Sequence, residues 1–463
     1  DVAAPLPLVD LAARRARRVQ IVFAVAGLAF GVVAALAGAR ASSGSWGPGR
    51  FLAFALLASW PAVPTVIALG VTRRRTRVVS WLACLATAVL LAAAGGQALD
   101  ALVLIGVPGL FMLATAARSI RGAAWLVAPA LVVLWLTAVA ALPPLLYVWY
   151  GRAFDQSTWI LLAAVAALPA LVALYSAVLT LLYARKWASD ETLLILQWWF
   201  VLALVLAVLF GTQGADNTAW GLAPFAVMTL FLLGAALVAR RTAVPPPARL
   251  LLLRTFGNRG RSSRLLRDLT VHWRWVGSVE LITGTDLATE LLEPHEFLDY
   301  LRGRLRRHFV RGPADLARRI GELDLRPDLD GRHRVNEMLC HDDTWRPALA
   351  ALVHEVDAVL IDLRGLAPQR TGVVYEIERL VAEVPLRRVV ALTDATTDGG
   401  VLRWALDRAA AQAPDDAPVR DDPAPALRTV ALTGRWSADL ERVLDAVGQA
   451  ASTGAARARG RRP

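Results

Sequence analysis

A strand followed by a helix in the second half of the chain carries two carboxylates near the strand's carboxyl end, a position that suits chemistry on a sugar ring. Residues 357–363 read as a buried strand that contains Asp362, and residues 371–384 read as a helix with Glu376 in its first two turns. A carboxylate held there can act on the anomeric carbon of a ribosyl group, as a nucleophile or as a stabiliser of an oxocarbenium-like transition state. Asp362 would then hydrogen-bond ribose hydroxyls. In a plainer interpretation, Glu376 complements the dipole of its helix.

A loop after the first strand of this region offers a place for phosphate. Residues 255–263 (TFGNRGRSS) are rich in Gly and Ser, contain arginines and lead into a helix. Backbone N–H groups at a helix N-terminus, together with arginines, bind phosphate. The stretch matches neither a P-loop nor a GxGxxG fingerprint, and it reads equally well as a turn. Together with the turns beside the two carboxylates, the candidate ligand-binding residues are Arg254, Gly257, Ser262, Ser263, Trp345, Arg364, Gly365 and Gly372.

The loop at residues 336–346 combines His341 with two neighbouring aspartates. A histidine beside carboxylates can serve as an acid–base group or as a metal ligand. Asp343 or Thr344 can instead cap the helix that follows, which leaves His341 on the surface, and this interpretation is favoured. The six histidines and two cysteines of the chain show no recognisable metal-ligand spacing. No metal site is therefore expected.

Alternating strand and helix patterns place these residues in one α/β domain. Strands are predicted at 249–256, 276–283, 357–363, 387–393 and 427–433, with a weaker one at 333–339. Helices are predicted at 261–270, 294–309, 313–323, 343–356, 371–384, 398–411 and 436–449. The pattern indicates a doubly wound, mostly parallel sheet, in which ligands bind at the carboxyl ends of the strands.

Charge and hydropathy separate a membrane region from this soluble domain. Residues 1–249 carry +11 of the formal net charge of +12, and the remaining residues carry +1. A bilayer is spanned by about 20 mostly apolar residues, and eight segments qualify: 19–39, 51–71, 78–96, 98–117, 124–143, 158–182, 193–211 and 218–239. Arginine-rich loops alternate with arginine-poor ones, so the positive-inside rule puts both termini and the C-terminal domain in the cytoplasm. The predicted fold class is an α-helical transmembrane bundle of about eight helices in the cell (inner) membrane, followed by the α/β domain.

The chain divides into five predicted parts. They are a basic cytoplasmic N-terminus at 1–18, a multi-pass transmembrane domain at 19–241, a Pro-rich linker at 242–248, a cytoplasmic α/β domain at 249–450 and a disordered basic tail at 451–463. The first apolar segment is longer than the apolar core of a signal peptide, which has about 7–15 residues. A retained helix is therefore favoured over a cleaved signal. Lys186 is the only lysine, a bias typical of GC-rich bacterial genomes.

Composition narrows the class of function. The nearly neutral second half argues against nucleic-acid binding. Predicted spans with almost no ionisable residues favour an anchor or signalling platform over a transport pathway. The expected partners are the lipid bilayer, a nucleotide ligand and a second copy of the chain. No cofactor is required, and a nucleotide or NAD would be a ligand or substrate.

The stretch from Trp345 to Asp394 has the pattern W-x3-L-x2-L-x4-DAVLIDLRG, followed by TG-x3-E-x-E and a strand. This stretch resembles the C-terminal half of Toll/interleukin-1 receptor (TIR)-like and nucleoside deoxyribosyltransferase-like domains, which have flavodoxin-like folds. The resemblance implies that Glu376 matches the catalytic glutamate and Asp362 the sugar-binding acidic position. It also implies that the first strand and its Ser/Arg-rich loop match the nucleotide-contacting loop. The first strand lacks the usual TIR opening, and an insertion at roughly 284–335 separates the second and third strands of the family.

Three functions follow from these patterns. The first is a nucleotide-binding TIR-like sensor that relays occupancy to the helix bundle. The second is a membrane-tethered N-glycosidase or ribosyl transferase that acts on NAD or another nucleotide through Glu376. The third is a scaffold or adaptor that assembles without a ligand. TIR-like folds host both enzymes and adaptors, so the fold alone does not decide among the three.

Overall fold

A computed structural model gives the fold of the chain. It describes residues 8–42, 46–70, 189–211, 217–241, 248–254, 259–284, 303–328, 330–420 and 427–460, with isolated residues between 79 and 86 and between 174 and 185. The chain forms two compact units. The helical unit comprises Arg17–Thr242 and Thr289–Arg304, and the α/β unit comprises Asp1–Ala16, Ala243–Ala288 and Leu305–Pro463.

Apolar helices rich in small residues build the helical unit. Gly27 in the first helix makes room for a neighbour, because an added Cβ would lie 2.7 Å from the Cβ of Ala62. Phe30 and Trp199 pack in the buried cluster of this unit, with ring centroids 4.8 Å apart. The described helices are α1 (Leu8–Ala41, in this unit from Arg17), α2 (Pro48–Ala58), α3 (Ala62–Leu69), α4 (Asp190–Gly211) and α5 (Thr218–Arg241).

Two stretches in the described part of the chain are long and apolar enough to cross a membrane, as judged by length and composition: Asp10–Ala41 and Ala219–Val238. The predicted span at 51–71 is wrong, because α2 and α3 are separated there by a turn at 59–61. Pro61 has no N–H to donate, which breaks the helical hydrogen-bond ladder. The predicted span at 193–211 falls in α4. The remaining predicted spans, 78–96, 98–117, 124–143 and 158–182, lie outside the described residues apart from isolated positions.

Six parallel strands form the sheet of the α/β unit. All six predicted strands are confirmed, including the weaker one before Cys340. Long apolar runs form its central strands, and every residue of the second and fourth strands is buried, as in sheets covered on both faces. The strands are β1 (Ala248–Leu253), β2 (Gly277–Thr283), β3 (Val335–Leu339), β4 (Ala358–Asp362), β5 (Val389–Thr393) and β6 (Arg428–Ala431).

The strand order is β3-β2-β1-β4-β5-β6. This is the order of dinucleotide-binding sheets, and without β3 it becomes the five-strand order of flavodoxin-like sheets. The structure thus has one strand more than a flavodoxin-like sheet, and this strand, β3, pairs with the outer side of β2. In both orders the direction of winding changes beside the first strand, and open α/β sheets that bind ligands do so in the crevice at that point, which here lies between the carboxyl ends of β1 and β4.

The helices of the α/β unit agree with the prediction except at two places. The predicted helix at 294–309 is described from residue 303 onward, and a one-turn 3-10 helix forms there instead. The predicted disorder from residue 451 is corrected, because the last helix continues to Gly460 through a run of alanine and arginine, both good helix formers. The helices are α6 (Arg259–Trp273), α7 (Pro313–Gly321), α8 (Trp345–Glu355), α9 (Thr371–Glu383), α10 (Gly399–Gln412) and α11 (Trp436–Gly460), with 3-10 helices at Leu305–His308 and Leu386–Arg388.

Gly277 at the start of β2 is required by the close approach of β1. A Cβ at this position would collide with the backbone carbonyl of Ala248, its partner in the strand register. We expect Gly277→Ala to lower the free energy of unfolding of the α/β unit by about 1–3 kcal/mol. Gly399→Ala is the control, since an added Cβ there meets nothing within 4 Å. Amide hydrogen exchange in β1 and β2 is the measurement, and equal effects of the two substitutions would contradict the prediction.

Candidate functional site

Arg254 follows β1 at the carboxyl edge of the sheet. The residue is buried, and its Nη2 donates to Oγ1 of Thr283, at the end of β2, over 3.5 Å. The register of β1 and β4 pairs Leu253 with Ile361, so the next residues, Arg254 and Asp362, follow side by side. The structure thus brings two predicted site residues together at the crevice between β1 and β4.

Asp362, the last residue of β4, is held by Arg364 in a two-pronged ion pair. Nε of Arg364 donates to Oδ1 at 2.7 Å and Nη2 donates to Oδ2 at 2.6 Å, and both residues are buried. Gly365 then turns the chain at a φ of 74°, which favours glycine. Burial by itself would lower the pKa of Arg364, but the hydrogen bond to Asp362 and the charges of Asp362 and Asp394 raise it above its ordinary value. The carboxylate of Asp362 therefore already accepts two hydrogen bonds from Arg364 in the absence of a ligand.

Glu376 is buried in α9 with an incompletely paired carboxyl group. Only 4% of the residue is exposed, and Oε2 has no hydrogen-bond partner among the described residues. Burial raises the pKa of Glu376 to about 8. At neutral pH the group is mostly protonated. A neutral carboxyl group complements a helix dipole poorly, so the plain dipole interpretation does not account for it.

An aromatic pair joins the starts of α8 and α9. Trp345 and Tyr375 pack edge to face, with ring centroids 5.4 Å apart. The guanidinium of Arg346 lies 5.0 Å from the centroid of the Tyr375 ring and 5.4 Å from that of the Trp345 ring. A Cβ added at Gly372 would meet the Trp345 ring at 4.0 Å, so these two predicted residues lie together. Aromatic faces and arginine planes are surfaces on which nucleobases stack.

Sequence reasoning missed Tyr375 and Arg346. Tyr375 precedes the predicted site residue Glu376, and Arg346 follows the predicted site residue Trp345. This adjacency in sequence was the only feature that could have identified them. The contact between them depends on how α8 and α9 pack side by side, which no pattern within either helix reveals. The structure therefore adds an aromatic and cationic surface to the candidate site.

The first loop is placed differently from the prediction. Gly257 lies outside the described residues. Ser262 and Ser263 lie inside α6, which begins at Arg259, two residues before the predicted start. The two serines therefore belong to the first two turns of a helix.

The loop before α8 is closed by its own hydrogen bonds. Oγ1 of Thr344 accepts from the backbone N–H of His341 at 2.9 Å, and the His341 ring stacks on Phe309 with centroids 4.5 Å apart. Thr344 is the N-cap residue by position, but its side chain makes no capping hydrogen bond to the helix, so the predicted side-chain cap is wrong. Within the described ranges no group of three or more His, Cys, Asp or Glu residues could hold a metal ion.

Comparison with known proteins identifies no relative from which the role of the site could be inferred. No protein-family model matches the chain, no curated protein is significantly similar to it, and no solved structure matches it. The fold and site define a parallel α/β unit with a charged carboxyl edge, in a chain that also has two candidate membrane spans. The resemblance to TIR-like and deoxyribosyltransferase-like domains stays a prediction.

Proposed function

We propose that this chain is an integral membrane protein that presents a nucleotide-binding, TIR-like sensor unit to the cytoplasm. The observation that carries the proposal is that Arg254 and the Asp362–Arg364 pair directly follow the neighbouring strands β1 and β4 at their carboxyl ends. Ligands of open α/β sheets bind at this place. Guanidinium groups bind phosphate with charge-assisted hydrogen bonds, so two arginines beside the crevice suit a nucleotide better than an uncharged metabolite.

The base of the nucleotide has a separate surface in this proposal. Trp345 and Tyr375 offer ring faces and edges, and Arg346 offers a flat cation beside them. A guanidinium has five N–H donors, so Arg364 can keep its hold on Asp362 while it reaches a phosphate oxygen. The ligand would therefore bind by adding contacts to an ordered edge, with little rearrangement of β4.

Membrane anchoring is supported by the candidate spans and by the exposed side of α1. Large apolar side chains are exposed on α1 at three- or four-residue intervals, which is one face of a helix. A multi-pass arrangement with both termini in the cytoplasm agrees with the arginine distribution along the sequence. We propose this topology for the chain, with the bilayer covering the apolar face formed by Ile21, Val25, Leu28, Val32 and Leu36.

Glu376 supports a second candidate, a membrane-tethered N-glycosidase or ribosyl transferase that acts on NAD or another nucleotide. Buried carboxyl groups with strongly shifted pKa values cluster at catalytic sites, and Glu376 directly follows Tyr375 of the aromatic pair. A nucleophile must be ionised to attack an anomeric carbon. Because the pKa of Glu376 is raised to about 8, the carboxylate is the minor form at neutral pH. Binding does not require an ionised Glu376 and is therefore the first proposal.

Ligand binding can be tested on the full-length chain in lipid nanodiscs with NAD and a panel of nucleotides. We expect at least one ligand to raise the melting temperature saturably, since a ligand at 100 times its dissociation constant adds about 2.7 kcal/mol of stability. Arg254→Gln should remove this effect. Arg387→Gln, a change at an exposed arginine just before the amino end of β5, should leave it intact.

The same mixtures distinguish binding from turnover. Chromatography would show released base if the second candidate is correct, and Glu376→Gln should then abolish the release. Stabilisation without release in the wild-type protein supports the sensor. If no member of the panel changes the melting temperature and no base appears, the nucleotide-binding proposal is contradicted.

A further inference from the structure

A run of exposed arginines interrupts an α/β unit that is otherwise close to neutral. Residues 302–311 (RGRLRRHFVR) contain five arginines and no acidic residue, in a half of the chain with a net charge of +1. Arg306, Arg307 and Arg311 of the α/β unit are exposed, and none of their side chains forms an ion pair with a described residue. These three side chains are called the arginine patch below.

The backbone beneath the arginine patch is fixed to the edge of the sheet. Phe309 forms an isolated parallel bridge with Leu339 at the end of β3, and Leu305 packs against the same two residues. On the other side, Nη2 of Arg319 donates to the carbonyl oxygen of Arg307 at 3.2 Å. The apolar residues of the segment thus face inward and hold it in place. The arginines are presented by an ordered surface, so little backbone entropy is lost when they bind.

The nearest acidic residue downstream does not neutralise the arginine patch. Asp315 in α7 pairs with Arg318 at 2.5 Å and with Arg319 at 3.0 Å. Arg311 contacts this carboxylate through its backbone N–H, which leaves its guanidinium out of the pair. Three guanidinium groups within six residues, none of them in an ion pair with a described residue, form a concentrated positive surface.

We propose that the arginine patch docks on anionic phospholipid headgroups of the membrane that carries the chain. The inference rests on the proposed membrane anchoring. The first strand begins at Ala248, seven residues after α5 ends at Arg241, and seven extended residues reach about 25 Å at most. A unit on so short a connection stays near the headgroups. Arginine forks match phosphate geometry, and each arginine near an anionic surface strengthens association about fivefold.

Lipid fits this surface better than nucleic acid does. A nucleic-acid site needs a basic face long enough to follow several phosphates of one strand. The arginine patch is short and lies in the second half of the chain, whose net charge is +1. A membrane surface offers a dense two-dimensional array of phosphates to a compact patch, and the connection to α5 keeps the two together.

The test uses the full-length chain in nanodiscs of neutral phosphatidylcholine and in nanodiscs that contain phosphatidylglycerol. Amide hydrogen exchange is followed for the peptide that covers residues 303–311. We expect exchange to slow by about tenfold in the anionic discs and to return to the neutral-disc rate at high salt, because salt screens the attraction. The triple variant Arg306→Gln, Arg307→Gln, Arg311→Gln should show equal exchange in the two discs.

A control with the same change in charge separates a local site from a general effect. Arg387→Gln, Arg403→Gln and Arg435→Gln remove three exposed arginines elsewhere in the α/β unit and should keep the lipid-dependent slowing. The proposal is overturned by equal exchange of the wild-type protein in both discs. It is also overturned if the arginine-patch variant keeps the slowing, or if an oligonucleotide protects the peptide in neutral discs while anionic lipid does not.

Failure of this proposal can be told from failure of membrane anchoring. Flotation with neutral vesicles after alkaline extraction reports anchoring and does not depend on anionic lipid. A chain that floats but shows no lipid-dependent exchange refutes docking of the arginine patch and leaves anchoring intact. A chain that is extracted from the vesicles refutes both, because the docking surface would then have no membrane to meet.

Discussion

Arg364→Met should lower the free energy of unfolding of the α/β unit by about 3–5 kcal/mol, because it leaves Asp362 as a buried carboxylate without its partner. Asp362 is 2% exposed and receives two short hydrogen bonds from this guanidinium. Breaking a buried ion pair costs far more than removing both partners. The substitution should therefore be one of the most damaging single changes at the carboxyl edge, as measured by amide hydrogen exchange in β4 and β5.

Two further variants show whether the loss comes from the unpaired charge. Arg403→Met is the control, since this exposed arginine of α10 donates to the carbonyl of Gly399 in its own helix, and it should cost less than about 0.5 kcal/mol. The double variant Asp362→Leu, Arg364→Met should recover most of the stability that Arg364→Met loses. An Arg364→Met protein as stable as the Arg403→Met protein would show that the pair contributes little.

Stability of the α/β unit should fall as the pH rises from about 4.5 to about 8, with a contribution from Glu376 of up to about 5 kcal/mol. Burial raises the pKa of Glu376 to about 8 in the folded chain, from its ordinary value of 4.5. Between these values the folded state holds a proton that the unfolded state has released. Unfolding therefore becomes easier with each step in pH, and the dependence levels off once Glu376 is ionised in both states.

The contribution of Glu376 is isolated by comparing variants over the same pH range. Glu376→Gln should lose this dependence and be more stable than the wild-type protein at pH 8. Glu378→Gln is the control, because Glu378 lies on the same helix and pairs at 3.0 Å with Arg408. Other groups also titrate here, notably Asp328, whose pKa is raised to about 6, and His333, whose pKa is lowered to about 4, both chiefly by burial. A wild-type profile that matches that of Glu376→Gln would contradict the raised pKa.

The sheet could be predicted because the sequence of each central strand is by itself typical of a buried strand. The runs LLLL in β1 and AVLI in β4 are apolar throughout, and a strand buried on both faces needs that composition. Boundaries were less accurate where local preference competes with packing. The last helix is longer than predicted because the segment after Ala451 combines small and basic residues, which are compatible with a helix as well as with a disordered tail.

The candidate site was predicted in part. Residues next to the ends of β1 and β4 were found because parallel strands bring their carboxyl ends to one edge. The ion pair between Asp362 and Arg364 was not foreseen, because it forms where the chain leaves the strand and turns at Gly365. The burial of Glu376 was missed for a related reason. Glu376 faces the interior of the unit, and the hydrophobic pattern of its helix does not predict a buried polar residue at that position.

The most direct test of nucleotide binding at the carboxyl edge is amide hydrogen exchange of the full-length chain with and without NAD or a nucleotide that stabilises it. The proposal predicts protection at residues 362–366 and 371–376, which follow β4 and open α9. Peptides at the opposite edge, around Gly277 and Arg388, should exchange at unchanged rates. Protection confined to the opposite edge, or to the helical unit, would contradict the proposal that the crevice between β1 and β4 binds the ligand.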